Sequence, residues 1–170
     1  MKGTLLVGLA SVVAAGCHHA PRDGAVGQAW STAACNAPAP RTTSTDRDSI
    51  LRDVATRRVA WRGQHITDYR LRLGETCFCP WSPPAILEVR NGIAVAALDT
   101  AGRSGAQLLA RWSSYTVEGL FDVIERTARD GAVLEVSYDA CLGYPIAIKG
   151  NMKHVDTWFQ IAAGPLTQPR

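Results

Sequence analysis

The stretch Ile86-Leu-Glu-Val-Arg-Asn-Gly-Ile-Ala-Val-Ala-Ala-Leu98 decides the fold. Two apolar arms, Ile86 to Val89 and Ile93 to Leu98, flank Asn91-Gly92. Asn-Gly supplies two residues that tolerate positive φ, which a tight antiparallel hairpin requires. Upstream, Thr67 to Phe78 alternates: Tyr69, Leu71 and Leu73 share one side, Arg70 and Arg72 the other. A period of two is that of a strand with one buried face. Trp81-Ser82-Pro83-Pro84 breaks the run. Downstream, Val133 to Tyr138, Tyr144 to Lys149 and Thr157 to Ile161 read as three further strands, with Asp139 to Gly143 as a turn.

Two helices fit between these strands. The first starts at Asp46 or Asp48, whose carboxylates can cap free N–H groups. Ile50, Leu51, Val54, Val59 and Trp61 follow at roughly helical spacing. Arg52, Arg57, Arg58 and Arg62 face solvent, and Gly63 ends the helix. In the second, Thr116 caps a run in which Leu120, Phe121, Ile124 and Ala128 form one apolar face, and Asp130-Gly131 stops it. The order is therefore helix, three strands, helix, three strands (αβββαβββ). It predicts an α+β domain over residues 48–170, in two layers, with both helices on one face of an antiparallel sheet.

The N-terminus says where the chain works. Lys2, the apolar run Leu5 to Ala15, and then Ala14-Ala15-Gly16-Cys17 have the form of an export signal over residues 1–16. The run is shorter than the ~20 apolar residues that a membrane-spanning helix needs. A cysteine directly after small residues is the acceptor of a bacterial lipoprotein signal, so Cys17 is the expected lipidation site and the membrane an expected partner. His18 rather than Asp after Cys17 directs such a protein to the outer membrane, facing the periplasm. Residues 17–47 hold Ala, Pro, Gly, Ser and Thr without apolar periodicity and read as a flexible tether.

Charge narrows the function. Eighteen basic and fifteen acidic residues give a net charge of +3, and the signs are interspersed. No basic run exists, so the footprint of a nucleic-acid binder is missing. Phosphate loops, dinucleotide glycine fingerprints, zinc-protease helices and EF-hand loops are also absent from the sequence. Nothing calls for a cofactor or a resident metal, and no serine or cysteine lies in a nucleophile motif. The reading is non-enzymatic.

Beyond Cys17, Cys35, Cys77, Cys79 and Cys141 are the disulfide candidates. An even number in an exported chain suggests disulfides, and four cysteines allow three connectivities. Cys77 and Cys79 lie two apart, hence on the same side of a strand. They could instead form a redox pair or hold a soft metal. His18 and His19 sit in the tether, and His65 in a turn. His154, with Asp156 two residues on, precedes the last strand.

Four stretches carry a family likeness. They are Trp61 to Tyr69 (WRGQHITDY), Cys77-Phe78-Cys79-Pro80, Val117 to Ile124 (VEGLFDVI) and Val136 to Pro145 (VSYDACLGYP). From Trp61 to its end the chain resembles the bacterial lipoproteins grouped as domain of unknown function 6174. That resemblance implies fold and location, not mechanism. Cys35 and Cys141 lie outside the family pattern, which implies that they pair with each other. Relatives tend to be acidic after Gly-Tyr-Pro. This chain has Lys149-Gly150-Asn151-Met152-Lys153-His154 there, with Asp156 the one acid left.

The expected activity is binding of an envelope protein or a small ligand on the sheet face. Trp81 and Trp112, read as loop residues, and Tyr144 beside its turn are the expected partner surface. Trp61 and Trp158, inside predicted elements, are assigned to the core. The alternative is thiol-redox or soft-metal handling through Cys77 and Cys79.

Overall fold

Asn91 and Gly92 adopt φ of 50° and 75°, so the hairpin signal folds as a tight turn with both central residues left-handed. A computed structural model describes residues 38–77, 83–151 and 158–169. Its elements run β1 (Arg41–Ser44), α1 (Arg47–Gly63), β2 (Tyr69–Cys77), β3 (Ala85–Arg90), β4 (Ile93–Asp99), α2 (Ala106–Trp112), α3 (Val117–Arg129), β5 (Val133–Tyr138), β6 (Pro145–Asn151) and β7 (Trp158–Ala163). The strands form one seven-stranded sheet in the order β1-β5-β6-β7-β2-β3-β4, antiparallel throughout. This is an α+β fold.

Two elements lie outside the expected order. Strand β1 comes from the stretch read as tether. Its main chain pairs with β5, Arg41 opposite Ser137 and Ser44 opposite Leu134. The Thr42 hydroxyl donates to Asp53 of α1 at 2.8 Å. Four polar residues show no alternating pattern; an otherwise unpaired strand edge supplies their structure. Helix α2 is the other addition. At seven residues it is too short to show helical periodicity, and its N-cap, Gly105, offers no side chain.

The remaining elements follow their sequence signals. Asp46 accepts from the N–H groups of Asp48 and Ser49, and Thr116 from that of Gly119. Alternation in β2 buries Tyr69, Leu71 and Leu73, and in β3 it buries Ala85, Leu87 and Val89. They meet Leu120, Phe121 and Ile124 of α3 and Ile50, Val54 and Trp61 of α1 in one core. Charge joins the two long helices across their tops. Arg58 reaches Asp122 at 2.7 Å and Glu125 at 3.3 Å, while Arg62 forks onto Glu118 with two 3.0 Å bonds. Tyr69 ties sheet to helix: the Val117 N–H donates to its phenol oxygen at 2.9 Å. That N–H lies at the start of α3, where no partner within the helix exists.

Among the described residues no helix is long and apolar enough to cross a membrane.

Candidate functional site

The expected partner surface is redistributed. Trp112 is fully buried rather than exposed. It ends α2 with its ring edge-on to Tyr115, centroids 5.4 Å apart. The unforeseen helix carries it off the surface and into the core. Tyr144 is also fully buried. The turn explains why. Asp139 accepts from the N–H groups of Cys141 and Leu142, and Gly143 takes a φ of 73°. The chain folds back so that Tyr144 lies under the sheet, edge-on to Trp61 at 5.9 Å, its hydroxyl donating to the Gly164 carbonyl at 3.0 Å. Trp81 lies outside the described residues, as do Cys17, Cys35, Cys79, His18, His19, His154 and Asp156.

Trp158 moves the other way. It was assigned to the core, but it is 43% exposed. Strand parity decides this. Ile161 and Ala163 point at the helices, so Trp158, Gln160 and Ala162 point away. Trp158 lines a shallow groove of about 290 Å³ with Thr43, Glu135, Lys149 and Gln160. Glu135 and Lys149 pair across neighbouring strands at 3.1 Å. The groove thus offers an aromatic ring beside one acid and one base. Gly150 also lines it, and a Cβ there would come 2.3 Å from the Phe159 ring.

Helices cover one face of the sheet. On the other, toward β3, Glu88 is clamped by Arg70 at 2.7 Å and Arg90 at 2.9 Å. Hydrogen bonding from Arg70 and then Arg90 holds its carboxyl below the usual range, outweighing partial desolvation.

The described residues also form hollows elsewhere. One, of about 200 Å³, lies between Trp61, Ile66, Tyr69 and the Arg62–Glu118 pair. A wider one of about 490 Å³ lies beside α2, with Asp99, Arg103, Gln107 and Arg111. Asp99 is already engaged by Arg103 at 2.8 Å, and Glu75 pairs with Arg111. Among the described residues, no group of three or more His, Cys, Asp or Glu side chains could hold a metal.

Neither Cys77 nor Cys141 is a free thiol. They do not bond each other. Cys77 stands in one row with Phe159, Gly150, Leu134 and Ser44 across the sheet. Cys141 lies in the turn beyond Tyr138, at the opposite end of β5. Three strand spacings and four residues of rise separate the rows, roughly 19 Å. A disulfide needs its Cα atoms within about 7 Å.

Residues 53–161, well over half the chain, match the model of a family of unknown function, DUF6174. The chain belongs to DUF6174. No curated protein and no solved structure matches it. Three of the four stretches that carried the resemblance meet in space. Trp61 stands edge-on to both Tyr69 and Tyr144, and Tyr69 receives the first N–H of the Val117 helix. In this member of DUF6174 those stretches join α1, α3 and the sheet. The family signature therefore marks how the domain packs.

Proposed function

We propose that this DUF6174 chain is a lipid-anchored protein of the bacterial envelope, acylated at Cys17 and held at the outer membrane on the periplasmic side. Its domain is a non-enzymatic module that binds another envelope protein on the outer sheet face. One observation carries the binding site: Trp158 stands 43% exposed in a groove on the face the helices leave bare. Large aromatic side chains in grooves, rimmed by mixed charge, dominate protein interfaces. Glu135 and Lys149 supply that rim. The anchor rests on Lys2, the Leu5 to Ala15 run and Ala14-Ala15-Gly16-Cys17. Two disulfides among Cys35, Cys77, Cys79 and Cys141 complete the reading, and the engaged state of Cys77 and Cys141 supports it. A redox pair of accessible thiols is disfavoured for the same reason.

The test places a photo-crosslinking residue at Gln160, beside Trp158, in the full-length protein within living envelopes. A discrete adduct with one envelope protein is expected. It should vanish with Trp158→Ala and be absent when the crosslinker sits at Arg52 on the helix side. No adduct at Gln160, or one that survives Trp158→Ala, overturns the site. Palmitate labelling of the wild type but not of Cys17→Ser tests the anchor separately.

A further inference from the structure

Charge is divided unevenly between the two layers of the domain. The three helices with their caps, together with Glu75 that pairs with Arg111, carry eight cations and eight carboxylates. The outer sheet face does not balance. Strand parity puts Arg41, Arg70, Arg72, Arg90 and Lys149 on it, against two carboxylates, Glu88 and Glu135. Glu88 is shared by Arg70 and Arg90, and Glu135 is taken by Lys149. Arg41 and Arg72 are exposed, and among the described residues no carboxylate pairs with either. The described part of this face therefore keeps a surplus of three positive charges.

The two unpaired arginines stand at a distance from Trp158. Cys77 faces Phe159 across β2 and β7, so Arg72 lies one strand and six residues of rise from Trp158, about 20 Å. Arg41 lies three strands and four residues of rise away, again about 20 Å. Between these three corners runs a row of small residues, Ser137, Ala147, Ala162 and Gly74, one from each strand. The row raises no large side chain, and a standard interface of about 800 Å² per partner covers all three corners. Trp158 is recessed in a groove with Glu135 on its rim. A flat anionic bilayer would leave that groove empty and set lipid phosphates against the carboxylate. A folded protein can fill the groove and bring its acids to the arginines.

We propose that the protein bound at this face presents an acidic surface: an apolar side chain enters the Trp158 groove, and carboxylates about 20 Å from it pair with Arg72 and Arg41. This rests on the binding site proposed above and adds the chemistry of its partner. Arginine suits the role, because its planar fork holds a carboxylate by two parallel hydrogen bonds. The surplus charge steers an acidic partner to the sheet face, and the balanced helix layer offers it no such field.

The test uses the photo-crosslinker at Gln160 in the full-length protein within living envelopes. Arg41→Glu combined with Arg72→Glu should cut the adduct at least about tenfold, and Arg41→Gln combined with Arg72→Gln should cut it less. Arg52→Glu with Arg126→Glu makes the same change in net charge on exposed helix positions and should leave the adduct intact. Melting temperatures of the variants should stay within about 3 °C of wild type; if the glutamate pair falls below that, the glutamine pair supplies the readout. The captured peptide should hold more Asp and Glu than Lys and Arg. An adduct that resists both arginine pairs, while Trp158→Ala still abolishes it, overturns the acidic partner and leaves the site standing. Equal loss in the helix-side pair overturns it too. An adduct that carries phospholipid instead of peptide overturns a protein occupant in favour of the bilayer. No adduct in the wild type sinks the site itself, and this proposal with it.

Discussion

Trp112 and Trp158 mark the two faces of one sheet, and they exchange the roles their sequence neighbourhoods suggest. Trp112, read as a loop residue, ends α2 and is fully buried. Trp158 opens an alternating strand and stands exposed. The helix-side face is dense with apolar side chains: Leu71, Leu73, Leu87, Leu134, Ile148 and Ile161 from the sheet, and Leu120, Phe121 and Ile124 from α3. The outer face is held by ion pairs, Glu88 between two arginines and Glu135 with Lys149. Removing apolar contacts from a close-packed layer leaves a cavity, whereas a solvated pair contributes little. Stability resides on one face of the sheet, and the polar face contributes little to it.

That contrast can be broken by mutation. Trp112→Ala should be the most damaging change, costing about 3–5 kcal/mol through a core cavity; a denaturant midpoint near that of the wild type would show that the helix side is not the stabilising face. Gly119→Ala comes next. Its Cβ would lie 1.8 Å from the Ser114 carbonyl oxygen, so the loop before α3 must move. A melting temperature within a degree of wild type would refute that close approach.

Tyr69→Phe removes the acceptor of the Val117 N–H and should cost about 1–3 kcal/mol, the cost of an orphaned buried donor. The pH response sharpens this. Burial pushes the Tyr69 phenol up to about 12 and raises Tyr138 and Tyr144 further. The folded chain then holds protons that the unfolded chain releases from about pH 10. The tyrosine contribution is fully present below pH 10 and is lost as pH rises through 12. Denaturation midpoints from pH 8 to 12 should fall at the alkaline end, with a shallower fall in Tyr69→Phe. Equal slopes would refute the linkage to Tyr69. Smallest in stability is Trp158→Ala, expected within about 0.5 kcal/mol of wild type, while the Gln160 adduct disappears. A large loss of stability would place Trp158 in the packed layer.

Much of the fold was legible. Asn91-Gly92, the Tyr69–Leu73 alternation and the Thr116 cap are local signals, and each element formed where its signal lay. Helix α2 was not legible, since seven residues give no period and Gly105 gives no side-chain cap. Strand β1 was not either, because Thr42 and Thr43 acquire structure from the β5 edge. The candidate site was less legible still. Tyr144 borders a turn, and turns are usually exposed, yet the Asx turn at Asp139 folds it under Trp61. For Trp158, alternation across β7 was the available signal: Ile161 and Ala163 face inward, which sends 158 outward.

The sequence by itself determined what local chemistry can encode: the hairpin, the two long helices with their caps, the α+β class and membership in DUF6174. Only the tertiary structure decided which aromatic residues are buried, which face stays bare, and how the polar stretch before Arg47 joins the sheet. Those outcomes depend on residues distant in the chain, Tyr138 meeting Pro40 and Trp61 meeting Tyr144. Burial and strand pairing are properties of such meetings, and no window of sequence contains both partners.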